Sequence, residues 1–123
     1  MTFTNQELAA ILKLAQVIAK ADGKVTDSET TLMALELSRF GVSEVKGELI
    51  IALSNIMDTT DATNIISRMT GEEKKYVAAY LGTMIFVDGE IDKKELILWK
   101  VFSQICKLPE MNIKDALEFM RNL

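Results

Sequence analysis

Two stretches of this chain say nearly the same thing. ADGKVTDSE runs from Ala21 to Glu29, and VDGEIDKKE runs from Val87 to Glu95, an offset of 66 positions. Each contains Asp-Gly-x-Val/Ile-x-x-x-Glu, and apolar residues recur three and four positions apart on both sides of each. A glycine free to take positive φ ends one helix, and a polar residue just beyond it starts the next. The chain must therefore turn a helix–corner–helix twice. The repeat extends past the nine residues. Ala15, Ile18 and Ala19 align with Leu81, Met84 and Ile85, Val25 with Ile91, Leu32 with Leu98, and Leu35 with Val101. The expected fold is all-α: a compact bundle of about seven helices with an internal pseudo-two-fold repeat of two Asp-Gly hairpins. The copies cover about residues 8–42 and 74–108 of a single domain spanning 1–123.

The remaining helices follow from apolar period and start signals. Thr4 with Glu7 and Thr70 with Glu73 are capping boxes, in which side chain and backbone satisfy each other's free amides. They open a first helix with the stripe Leu8, Ile11, Leu12, Ala15, Ile18 and Ala19, and a fifth running to about Val87. A second helix is expected from Thr26 or Asp27 to Phe40, stopped by Gly41. Ser43 opens a third, EVKGELIIALSNIM, and a short fourth covers about Asp61 to Met69. Asp92 opens a sixth, ending before Pro109, and Asn112 caps a last, IKDALEFMRNL.

Composition removes several function classes. The chain has no histidine, which excludes Ser-His-Asp and Cys-His nucleophilic systems and histidine metal ligands. Cys106, the one cysteine, cannot form an intramolecular disulfide or a multi-thiolate zinc site, and its place in an apolar stripe reads as a core thiol. A net charge of −4 argues against nucleic acid, whose binders carry a basic footprint. Lys74-Lys75 and Lys93-Lys94 sit among acids and read as solvated helix faces. The longest strongly apolar stretch, Tyr76 to Val87, is shorter than the ~20 residues a bilayer span needs. The opening MTFTNQELAA lacks the cationic and apolar regions of a signal peptide. A cytoplasmic protein, not inserted in a membrane, is the expectation. With no P-loop, dinucleotide-binding glycines or activated nucleophile, it is not expected to be an enzyme. Paired acids can hydrolyse glycosides, but nothing in the chain signals a cleft for them.

The doubled motif has two readings. In one, it is a corner: Gly23 and Gly89 turn the chain, Val25 and Ile91 plug the turn with apolar surface, and Thr26-x-x-Glu29 and Asp92-x-x-Glu95 are capping boxes. In the other, it holds a cation. Asp-Gly-x-Ile-x-x-x-Glu matches the later half of an EF-hand loop, but the earlier ligand positions fall on Ile18 and Lys20, and on Met84 and Phe86. Neither loop is therefore an ordinary EF-hand, which leaves weaker coordination. Asp22, Asp88 and Glu95 lie at the ends of apolar stripes, Glu95 at the start of Leu98, Trp99, Phe102, Ile105 and Cys106, where a carboxylate needs an amide, a base or a cation. If the hairpins pair, Asp22, Glu29, Asp88 and Glu95 converge as a candidate site for calcium, magnesium or manganese, or for a basic partner.

The doubled motif, each copy leading into a long helix with Leu32 or Leu98 and with Trp99 in the second, resembles the tellurite-resistance TerB-like family of bacterial helical domains. A more distant resemblance is to membrane-anchored DnaJ-like proteins that carry a similar module. The resemblance covers roughly Leu8 to Leu108. It implies an all-α fold of about seven helices, a cytoplasmic role near the membrane or in stress defence, no enzymatic activity, and an acidic surface suspected of metal binding. Asp22, Glu29, Asp88 and Glu95 are the positions that would inherit that surface, and Lys24 beside the first acid departs from it.

Seven methionines suit either gap-filling in the core or a groove for a partner helix. Trp99 reads as a core anchor, with an interface anchor as the alternative. The final stripe Ile113, Leu117, Met120 and Leu123 covers the core or docks on a second subunit. The functional expectation is a non-catalytic module with a protein partner, which can be a second copy of the chain. Any membrane association would be peripheral and through a partner. Its alternative is a purely structural interaction domain whose Asp-Gly motifs only cap helices.

Overall fold

The computed structural model describes residues 1–123 apart from Asp22, Lys24 and Asp88. The described residues form seven α-helices and no strand: α1 Asn5–Ala19, α2 Asp27–Arg39, α3 Glu44–Ile56, α4 Thr59–Ser67, α5 Gly71–Phe86, α6 Lys93–Cys106 and α7 Ile113–Arg121. Each helix opens on a side-chain cap: Thr4, Thr26, Ser43, Asp58, Thr70, Asp92 and Asn112 accept a bond from the amide three residues on. Each such cap stabilises by about 1 kcal/mol. The boundaries follow the apolar period closely. The fourth helix starts two residues before the expected Asp61, because Asp58 rather than a later residue takes the cap.

α1 and α5 form the centre. Tyr76 through Leu81 are all buried, as are Leu8 through Leu12, so both helices are apolar over most of their circumference. α1 packs against α2, α3, α4, α5 and α6, while α5 carries α6 and α7. Gly82 makes that second packing possible. A Cβ there would lie 2.7 Å from the Trp99 ring and 2.9 Å from the Ala116 Cβ. The Trp99 indole donates to the Ala78 carbonyl at 3.0 Å and fixes α6 on α5. Trp99 is thus the core anchor that its stripe implied. A smaller core of Leu8, Ala9, Leu12, Leu37 and Ile50 joins α1, α2 and α3.

Two helix ends differ in how they stop. α2 ends as expected on Gly41, at φ +70°, with Val42 N–H donating to the Leu37 carbonyl. α6 ends on Lys107 at φ +56°, a left-handed residue with a side chain, closed by Leu108 N–H donating to Ser103 and followed by Pro109. No glycine marked that stop in the sequence. Among the described residues no helix is long and apolar enough to cross a membrane.

Two expectations need correction. Val25 and Ile91 do not plug their corners: they are 37% and 50% exposed. Ile105 continues the α6 apolar period yet is exposed, because Trp99, Phe102 and Cys106 face the core and Ile105 falls a quarter-turn away. Of the last stripe, Leu123 is exposed while Ile113, Leu117 and Met120 are partly buried, which leaves both readings of it open.

Candidate functional site: two acidic corners and a buried carboxyl

The two corners share their glycine turn where they are described. Gly23 and Gly89 take φ of +97° and +82°, and nothing lies within 4 Å of where a Cβ would sit. Backbone conformation, not crowding, selects glycine here. Gly23 N–H donates to the Lys20 carbonyl and Gly89 N–H to the Phe86 carbonyl, each at 2.9 Å. Lys20 and Phe86 are themselves 66 positions apart.

The acids sit as follows. Glu29 is 2% exposed. Its carboxylate Oε1 accepts from the Thr26 amide at 2.8 Å, and its own amide donates to Thr26 Oγ1 at 3.1 Å. That is a complete capping box. Glu95 is 5% exposed, and its amide donates to Asp92 Oδ1 at 3.0 Å. Asp22 and Asp88, the other two candidate ligands, lie outside the described residues. Among the described residues, Asp, Glu and Cys side chains form no group of three that could hold a metal ion.

A further buried acid was not anticipated. Glu36 lies on α2, seven residues after Glu29, and is 2% exposed. Tyr76 donates its hydroxyl to Glu36 Oε1 at 3.3 Å. The Tyr80 hydroxyl lies near the same carboxyl, but neither it nor Glu36 Oε2 makes a well-formed hydrogen bond among the described residues. Tyr80 stacks on Tyr76 with ring centres 6.0 Å apart, and Phe3 and Phe40 pack on Tyr76 at 5.6 and 5.4 Å. Burial among these rings pushes the Glu36 pKa up to about 8, against the opposing pull of the two tyrosine hydroxyls and Arg39. Glu36 is thus mostly a neutral acid at pH 7. Burial and the neighbouring carboxyl group also push both tyrosines upward. The residue 66 positions on is Phe102, a core residue, but nothing local in α2 marks Glu36 as buried.

Cys106 is a core thiol, as its stripe implied. It is buried, 3.7 Å from the Thr63 carbonyl, and burial pushes it up to about 11 against the pull of Lys74. A thiol so protonated is a poor nucleophile. Two grooves lie elsewhere. One, of about 640 Å³, runs between α2 and α3 and has Met33, Leu37, Val42 and Ile51 among its lining residues. Another, of about 720 Å³, lies beside Trp99, Lys100, Lys107 and Met111.

The described chain is thus an all-helical bundle bearing two matched acidic corners. No family model matches it, and no curated protein does. A crystal structure of a protein of unknown function from Porphyromonas gingivalis W83 superposes with a TM-score of 0.86 at 42% sequence identity, covering 100% of this chain and 99% of that one. The chain belongs to the same family as that protein.

Proposed function

We propose that the chain is a non-catalytic, TerB-like interaction module whose paired corners, through Asp22, Glu29, Asp88 and Glu95, take up a divalent cation or a basic partner. One observation carries this reading. Glu29 and Glu95 occupy equivalent places in the two corners, and both are almost fully buried. A carboxylate kept at the edge of a core is costly unless a donor or a cation compensates it. The pseudo-two-fold repeat behind the proposal draws support from the matched glycines and from shared exposure at paired positions. Val25 and Ile91 are both exposed, as are Leu35 and Val101, while Ala15, Ile18 and Ala19 are buried like Leu81, Met84 and Ile85. The TerB-like resemblance supports a place in a bacterial stress or tellurite-resistance-type response, in the cytoplasm, with a protein partner.

A second reading has its own observation. The reciprocal Thr26–Glu29 bonds account for one oxygen of Glu29 by helix capping alone. On that reading the corners only shape the fold. Thermal unfolding of chelator-stripped protein separates the two, with millimolar calcium, magnesium or manganese, beside the Asp22→Asn/Asp88→Asn double variant. A saturable rise in Tm that the variant loses supports the cation site. No rise with any ion, and no binding of a basic peptide by calorimetry, leaves the capping reading.

A further inference from the structure

α3 is apolar on two opposite faces. Gly47, Ile50 and Ser54 are buried and point toward α1. On the far side, Val45, Leu49 and Ile56 are 71%, 66% and 83% exposed, with Ala52 exposed between them. Their spacing is four, three and four residues, which lines them up in one seam of the kind that joins paired helices. A lone surface helix needs an apolar stripe only on its core side. The second stripe calls for something to cover it.

Two features of the seam select its cover. The first is symmetry. The spacing reads the same in both directions, so an antiparallel copy would set Val45 against Ile56 and Leu49 against Ala52. The largest knob at the centre then meets the smallest residue. A parallel copy would set Ala52 on Ala52 and leave a gap between bulky layers. The second is charge. On the flanks of the antiparallel pair Glu48 meets Asn55 and Lys46 meets Leu53, so no like charges oppose one another and Glu48 gains an amide donor.

The area is also sufficient for a reversible contact. The exposed seam of Val45, Leu49, Ala52 and Ile56 presents on the order of 400 Å² of mostly apolar surface, the size of patch that marks an interaction site. Two copies would bury about 800 Å² in total, the small size of a weak, reversible contact.

We propose that α3 is a self-docking surface: two copies of the chain pair antiparallel along Val45, Leu49, Ala52 and Ile56 across a twofold axis. The contact stands independently of the cation reading, which concerns other helices.

Sedimentation velocity on the full chain tests this across about 10 µM to 1 mM, the range suited to a small apolar interface. The expected result is a weight-average mass rising from 13.7 kDa toward twice that value. Leu49→Glu should hold the chain monomeric throughout with its Tm unchanged, since Leu49 is exposed. Ile97→Glu, on the exposed face of α6, should dimerise like the parent. Orientation is read by disulfide trapping: a Val45→Cys variant mixed with an Ile56→Cys variant should cross-link, and Ile56→Cys alone should not. A monomer at every concentration overturns the proposal, as does a dimer that survives Leu49→Glu or is lost equally in Ile97→Glu. Self-linking of Ile56→Cys overturns the antiparallel pairing.

Discussion

α2 and α6 begin alike and end differently. Both follow an Asp-Gly corner, both open on a capping side chain, and both bury the glutamate at their third position. Beyond the first turn they diverge. α6 places Trp99, Phe102 and Cys106 in the core, where α2 has Met33, Glu36 and Phe40 at the matching positions. The aromatic face locks α6 onto α5 through Trp99 and the space left by Gly82. α2 instead rests on a smaller core with α1 and α3, and on a neutral carboxyl held by tyrosines. The same corner thus carries one helix held by packing and one held partly by a buried acid. A buried acid stabilises only while it keeps its proton, so the two halves should respond differently to the same perturbation.

The largest effect should come from breaking the packed half. Trp99→Ala removes a buried ring and its indole bond and should cost about 3–5 kcal/mol. Met33→Ala, its counterpart on α2, is only partly buried and should cost less than half as much. Urea denaturation of the two variants checks the difference.

The next effect belongs to Glu36 alone. The native chain holds its pKa near 8 against 4.5 for an unperturbed glutamate. Between those values the native state keeps a proton that the unfolded chain has lost, so stability falls as pH rises. The contribution is full below about pH 4.5 and is lost as pH climbs through about 8. Glu36→Gln keeps the shape without the titration. Its stability relative to the parent should rise from pH 5 to pH 9 by roughly 4 kcal/mol and level off above that. Paired denaturation curves at five pH values test this; parallel curves would mean that Glu36 is solvated.

Smaller still are the caps, where the two halves should agree. Glu29→Ala and Glu95→Ala should each cost about 1 kcal/mol if they serve as caps, whatever ions are present. A cost that appears for either only when calcium, magnesium or manganese is added would move that corner from the capping to the cation reading. The smallest change is expected on the shared outer face. Leu35→Ser and Val101→Ser should each shift stability by no more than about 0.5 kcal/mol, because both residues are exposed.

Much of this architecture was legible before any coordinates. Apolar period and capping residues are local properties, set by 3.6 residues per turn and by free amides at helix starts. They marked all seven helices and every cap but Asp58 of α4, the stop at Gly41, and the buried stripes of α1 and α5. The acids of the corners were legible as residues but not as an assembly, since convergence depends on how hairpins pack. The corner reading misled at Val25 and Ile91, and local period misled at Ile105, because a position in a stripe does not say how wide the buried arc is. Which of two apolar faces of α3 turns inward was likewise invisible: both obey the same period, and only the position of α1 chooses between them. Glu36 shows the limit most clearly. A glutamate in a surface-like helix reads as solvated, and only the tertiary packing of Phe3, Phe40, Tyr76 and Tyr80 around it removes the water that would keep it charged.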